Sequence, residues 1–297
     1  MPCDDRDVRL PDSFGLEETR LHADSLLMRQ VDRSLYVLIR ILTVVAGAQS
    51  LLGLAFPAAY RDVAWIRATW FGNDLVTLVL AFPLLIISLY LDRRQSVRGQ
   101  LLLPGMLAYF VYNEAYYLFG AQLNIFFPLY VGAFLLSSVA LLLTLTSISV
   151  ADIAARFGRG TPARTIGGYM AVIAFGLTGI WLTMWGAYIF AGRPTPVEPD
   201  AFRLIAALDL SLMVPALSTG GILLWRRRPW GYVIGSVAGV QASLYLIVLA
   251  VNACVAVQRG LVASPGELPI WSALALLTTI ATLALFHHSD KGAASGQ

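Results

Sequence analysis

Residues 125–148 read IFFPLYVGAFLLSSVALLLTLTSI, without a single charged side chain. At 1.5 Å per residue, a helix crosses a hydrocarbon core roughly 30 Å thick in about 20 residues. The apolar run is continuous rather than alternating, which is the pattern of a helix and not of a barrel strand. In lipid the backbone must satisfy its own hydrogen bonds, and a helix does so within one segment. This stretch therefore reads as a membrane-spanning helix. Comparable runs occupy 35–57, 71–91 and 101–121 before it, and 166–191, 203–225, 231–257 and 268–287 after it. The fold expected is all-α, a polytopic membrane bundle of eight transmembrane helices. Pro83 and Pro215 fall inside two of the runs and predict kinks, because proline removes a backbone donor.

Composition agrees. The chain is 58% hydrophobic and 13% charged, with mean hydropathy +0.70, whereas soluble chains carry roughly 25% charged residues. Lipid must cover the excess apolar surface, so the bilayer is the first partner expected. A net charge of +3 gives no basic patch for nucleic acid. Cys3 and Cys254 are too far apart in character to pair, one in a polar segment and one near a span end, so no disulfide and no metal site is expected. No cofactor motif is present: P-loop, HExxH, CxxC and G-x-S-x-G are all missing. The first 34 residues are polar and acidic and lead into the first run without a cleavage pattern, so that run reads as a true span. Leu16, Leu21, Leu26, Leu27 and Val31 leave two readings for this segment, a helix on the inner membrane face or a solvated tail.

Arginines set the orientation. Arg93, Arg94 and Arg98 follow the second span, Arg156, Arg159 and Arg164 the fourth, and Arg226, Arg227 and Arg228 the sixth. With five more before the first span, 14 lie on that side and five on the other. Basic residues mark the cytoplasmic face. The expectation is a multi-pass protein of the cell membrane with both termini cytoplasmic.

The halves resemble each other. Phe127-Pro128-Leu129-Tyr130 precedes Ser137-Ser138 as Leu268-Pro269-Ile270-Trp271 precedes Thr278-Thr279. Asn73-Asp74-Leu75 precedes Pro83 as Leu208-Asp209-Leu210 precedes Pro215. An even number of spans per unit makes the repeat parallel. The expected organisation is a cytoplasmic segment 1–34, a four-helix unit 35–148, a linker 149–165, a second four-helix unit 166–287 and a tail 288–297. Gly231, Gly235 and Gly239 share one helix face and allow close approach, either of a helix in the same chain or of a second copy in a homo-oligomer.

Ionisable side chains within spans are costly and need water, a partner or a proton. Arg40 can snorkel to the inner surface. His287-His288 sit at a helix end, where they suit the dipole. Asp74 can cap the start of its span. Glu114 and Asp209 lie at one depth, about 10 Å below the outer boundary by helix rise. Asn113, Tyr117 and Asn252 belong to the same outer half. The pattern points to an outward-facing acidic pocket for a proton or cation, formed by Glu114 and Asp209 with Asp74 at its rim. A hydrogen-bond network that merely ties helices together uses the same residues. No catalytic residue is assigned.

The stretch Gly72-Asn73-Asp74-Leu75 through Leu91, with Leu107 to Asn113 and Phe119-Gly120 after it, resembles a group of uncharacterised bacterial multi-span membrane proteins. The resemblance covers about residues 71–145 and implies a membrane location without implying a reaction. Three functions remain open: a transporter of a small molecule or ion, a membrane-embedded enzyme acting on a lipid or isoprenoid-like substrate by acid catalysis, and an accessory protein without chemistry.

Overall fold

The computed structural model describes residues 13–262 and 266–289, with side chains from Arg33 onward. Residues 1–12, with Cys3, and the tail beyond 289 lie outside the described residues. Among those described, every regular element is helical. The elements are α1 (Ser13–Ala55), α2 (Ala64–Val76), α3 (Phe82–Arg93), α4 (Val97–Gly120), α5 (Phe127–Ser147), α6 (Val150–Ala155), α7 (Ala163–Ala191), α8 (Pro199–Leu208), α9 (Val214–Trp225), α10 (Pro229–Gln258) and α11 (Leu268–His287). A π-helical turn, Thr77–Ala81, joins α2 to α3, and another, Asp209–Met213, joins α8 to α9. Among the described residues seven helical rods are long and apolar enough to cross a membrane: Arg33–Ala55, Ala64–Arg93, Phe127–Ser147, Ala163–Ala191, Pro199–Trp225, Pro229–Gln258 and Leu268–His287. The chain is an all-α polytopic membrane bundle.

α4 is an eighth rod of 24 residues that falls outside the apolar set. Tyr109, Tyr112, Asn113, Glu114, Tyr116 and Tyr117 make it too polar for lipid, and the packing explains how it is tolerated. α4 touches α3, α5, α8 and α10, and most of its side chains are buried. Helices at the periphery are the reverse: only 22% of the spanning windows of α7 and α11 is buried. Their exposed Val172, Phe175, Leu276 and Ile280 are the surface that lipid must cover.

The expected kinks take a specific form. Pro83 and Pro215 stand at the starts of α3 and α9, and each follows directly on a π turn. Lacking an N–H, proline leaves the ladder short of a donor. The backbone widens instead: Phe82 N–H donates to Thr77 O, and Val214 N–H donates to Asp209 O. The same register extends further at a constant shift of 132 positions (77 to 209, 83 to 215, 95 to 227, 99 to 231). Gln95 and Arg227, both non-glycine, take positive φ of 55° and 53° in matching turns. Ser96 N–H donates to Leu91 O as Arg228 N–H donates to Leu223 O. In this register Asp209 matches Thr77. Asn73-Asp74 lies one turn before the first π segment, whereas Asp209 opens the second.

Two details differ from the sequence reading. Residues 13–34 are neither a separate surface helix nor a coil, since α1 runs unbroken from Ser13 into the first span. The linker contains α6, whose Ile153 is buried, and Phe157 beyond it stacks on Tyr232 at 4.5 Å between ring centroids. The glycine face of α10 is used inside the chain. Cβ atoms built on Gly231 and Gly239 would lie 2.3 Å from Leu224 N and 2.7 Å from Thr282 Oγ1.

Gly99 and Gly231 sit against the backbone of the preceding helix, with 2.2 Å and 2.3 Å to the nearest atom from an added Cβ. Gly99→Ala and Gly231→Ala should each cost about 1–3 kcal/mol through overpacking. Thermal unfolding in detergent should show both melting below wild type. Gly176→Ala meets nothing within 4 Å and should melt at or above the wild-type temperature.

Candidate functional site

All three acids predicted from sequence are fully enclosed. Relative exposure is 0% for Asp74, 0% for Glu114 and 1% for Asp209. They occupy two separate neighbourhoods. Tyr112 and Glu114 are two residues apart on α4, so at about 100° per residue they leave the helix on nearly opposite faces. Tyr112 hydroxyl donates to Asp209 Oδ1 at 2.6 Å, and Trp181 Nε1 of α7 donates to Asp209 Oδ2 at 2.9 Å. Glu114 instead faces α1, where Gln49 stands. Equal depth was the argument for one cavity, but depth does not specify azimuth, and the shared Glu114–Asp209 pocket open to the outer face is not what the packing forms. Asp74 lies beneath the surface and not at a rim.

Asp74 is held like Asp209, by two neutral aromatic donors. Tyr60 hydroxyl reaches Oδ2 at 2.7 Å and Tyr117 hydroxyl reaches Oδ1 at 2.8 Å. Burial raises the Tyr60 hydroxyl far above its ordinary range, and the adjacent Asp74 charge raises it further, so it remains a donor. Gly53 makes room: a Cβ there would lie 2.1 Å from Asp74 Oδ2. Asp74 is not the helix cap expected from sequence, because α2 begins ten residues earlier at Ala64.

A chain of amides leads to Glu114. Asn252 Nδ2 of α10 donates to Asn73 Oδ1 at 3.0 Å, Asn73 Nδ2 donates to Asn113 Oδ1 at 3.3 Å, and Asn113 Nδ2 donates to Glu114 Oε1 at 3.4 Å. Each amide passes its donor forward, so the series ends on a carboxyl oxygen. The last bond is long and therefore weak. Glu114 Oε2 has no partner, and neither do Gln49 Nε2 and Oε1. The Gln49 amide is near enough to act on the carboxyl yet makes no hydrogen bond of ordinary geometry with it. No arginine makes an ion pair with any of the three acids among the described residues; Arg203 pairs instead with the exposed Asp200 at 3.3 Å. Orphaned polar atoms of this kind are uncommon in buried positions and ask for a reason.

Above these groups lies an aromatic lid. Trp70 stacks on Tyr117 at 4.7 Å and Tyr117 on Tyr130 at 5.2 Å, while Tyr60 meets Trp70 and Phe126. Loop side chains fasten it. Asp62 accepts from Trp70 Nε1 and from Gln122 N–H, both at 3.0 Å, and Asn124 Oδ1 accepts from Phe126 N–H and Tyr130 hydroxyl. Among the described residues no group of three or more His, Cys, Asp or Glu is arranged to hold a metal ion.

Sequence reasoning missed Gln49, Tyr60, Trp181 and Tyr112 as partners. Gln49 left a usable signal, being an uncharged polar residue in the outer half of an apolar span. A groove of about 520 Å³ beside Trp181 was also missed, since its lining of Trp185, Tyr188, Phe202 and Leu210 joins two helices that are distant in pattern. Comparison with family profiles, with curated proteins and with solved structures finds no match to this chain.

Tyr117→Phe leaves Asp74 Oδ1 buried without that donor, which should cost about 1–3 kcal/mol. The expected result is a lowered melting temperature in detergent. Tyr188→Phe, at an exposed position, should melt with wild type.

Proposed function

We propose that this integral membrane protein is a transporter of a small ion or molecule, with Glu114 as the group that takes up a proton or a cation. The observation that carries this reading is the unpartnered Glu114 Oε2 beside an unpartnered Gln49, both buried within the span region. A carboxylate without a counter-charge costs several kcal/mol in such a place, so Glu114 must share its charge with a proton or a cation. Asp74 and Asp209 differ, each having two short bonds from neutral donors, and are assigned to holding helices together. The aromatic lid separates Glu114 from the predicted outer surface, so uptake from that side requires the lid to part.

The reading extends to topology. Eight crossings follow if α4 spans inside a ring of apolar helices, and the arginine bias supports cytoplasmic termini in a bacterial cell membrane. Two parallel four-helix repeats are supported by the constant shift of 132 across the π turns and the reversals after them. Rocking of such halves is a known route to alternating access.

A second reading, an enzyme acting on a lipid or isoprenoid-like substrate, is favoured by one observation. The groove between α7 and α8 is apolar and aromatic, and Trp181 in its wall bonds Asp209. On that reading Asp209 is the acid and Glu114 is incidental.

Reconstituted vesicles distinguish the two. With trapped pH dye and an imposed membrane potential, in sodium-free and in sodium buffer, wild type should conduct protons or exchange them for sodium faster than protein-free vesicles. Glu114→Gln should fall to the protein-free rate, and Asp209→Asn should keep at least about half of the flux. Wild-type flux equal to that of empty vesicles in both buffers would sink the transport reading and leave Glu114 to helix packing.

A further inference from the structure

We infer that the cleft between the starts of α7 and α10 binds the headgroup phosphate of an anionic phospholipid. Arg164, Trp225, Arg226, Arg227, Arg228 and Pro229 line a cavity of about 490 Å³ there. Four arginines thus border one space. Among the described residues none of Arg164, Arg226 or Arg228 makes an ion pair or side-chain hydrogen bond. Arginine is the side chain best shaped for bidentate recognition of phosphate.

The cluster is built and held. The tight reversal after α9 puts Arg227 at φ 53°, a region that non-glycine residues seldom enter. Its guanidinium then donates to Arg159 O and Thr161 O, both at 3.3 Å. Those bonds fasten the loop before α7 to the turn before α10, and so bring Arg164 beside Arg226 and Arg228. Gly167 and Gly221 allow the close approach of α7 and α9 that this needs, each leaving less than 3 Å between an added Cβ and the other's carbonyl oxygen. Two helix starts, at Ala163 and Pro229, lie beside or in the lining, and neither has an acid in its first turn. Their positive ends add to the arginine field.

The matching turn in the first half differs in charge. There Asp92 stands where α9 has Leu224, and it accepts from Tyr36 hydroxyl at 2.9 Å. Arg93 and Arg94 lie over the rings of Tyr36 and Tyr90 at 4.7 and 4.5 Å. Those cations have local partners; in the second stretch leucine stands for the acid, Arg227 and Arg228 stand where the first has Gln95 and Ser96, and Trp225 and Trp230 stand where it has Arg93 and Arg98.

A lipid fits better than free phosphate because of what surrounds the cavity. Trp225 and Trp230 are 53% and 47% exposed, as tryptophans at headgroup level are. Exposed Val172, Phe175 and Ile222 continue from the cluster along α7 and α9, offering acyl chains a path beside the headgroup.

The test uses the purified full chain in neutral detergent, titrated with phosphatidylglycerol, with phosphatidylcholine or with inorganic phosphate. Melting temperature and lipid retained in native mass spectrometry are read. Phosphatidylglycerol should raise the melting point and be retained, and phosphatidylcholine should do neither. Arg164→Gln, Arg226→Gln and Arg228→Gln together should abolish the response, with about a fivefold loss of affinity per arginine; Arg227 is left in place because it fastens the loop. Arg93→Gln with Arg94→Gln should keep the response. An equal response in the cleft variant, or an equal loss in the control pair, overturns the assignment, and inorganic phosphate as effective as phosphatidylglycerol overturns the lipid. Should the triple variant not fold, quenching by brominated-chain lipid decides in protein that keeps all its arginines. Phosphatidylglycerol should quench more than phosphatidylcholine, and Trp225→Phe should remove the difference; no difference in wild type overturns the proposal.

Discussion

A tyrosine, an asparagine or a glutamate facing hydrocarbon must give up its hydrogen bonds to water, and α4 carries all three between Tyr109 and Tyr117. That cost can be met only by other helices. Everything around α4 answers it. Tyr109 bonds Thr77 at the first π turn, Tyr112 bonds Asp209 at the second, Asn113 joins Asn73, and Tyr117 bonds Asp74. Partners come from α2 and from both π turns, so one polar helix ties both halves of the chain to itself. Apolar contacts between TM helices have little water to expel. The position of each neighbour is therefore fixed more by these directional bonds and by glycine-permitted approach than by hydrophobic burial.

The two π turns belong to the same logic. Proline withholds a donor, the backbone widens to an i to i+5 bond, and the first residue of each widened turn meets a tyrosine of α4. Thr77 and Asp209 hold that place in the two halves. A local covalent fact, the missing proline N–H, thus decides where a polar side chain enters the interior. In a straight helix the carbonyl four residues before each proline, at Val79 and Ser211, would lack its donor.

Much of the fold was legible in sequence because spans are set by length and polarity alone, which need no knowledge of neighbours. Residues 125–148 came within two residues of α5 at each end, and 268–287 coincides with α11. The start of α2 was missed by seven residues, since Trp65, Arg67 and Asn73 hide a helix that begins outside the apolar run. The site was less legible. Depth follows from counting residues along a helix, and that placed Glu114 and Asp209 together. Rotation about the helix axis follows from packing, and it put Tyr112 between α4 and Asp209 while Glu114 turned toward α1. The helical wheel of α4 already held half of this answer, because residues 112 and 114 cannot share a face. Which face met which neighbour needed three dimensions.

On the proposed repeat, the residues of most interest lie where the halves disagree. At the shift of 132, Thr77 corresponds to Asp209, Asp92 to Leu224, and Glu114 to Leu246. The backbone devices agree in both halves: the π turn, the proline, the positive-φ reversal and the glycine packed against the preceding helix. These devices set the path of the backbone at both places. On that proposed repeat the charged positions differ while the backbone devices agree. Leu246 has 9% exposure and is an ordinary core leucine, so helix packing at that position does not require a carboxyl. Glu114 must then be explained by something other than the scaffold. Its unpartnered Oε2, buried beside an equally unpartnered Gln49, is the local feature on which the proposed proton or cation uptake rests.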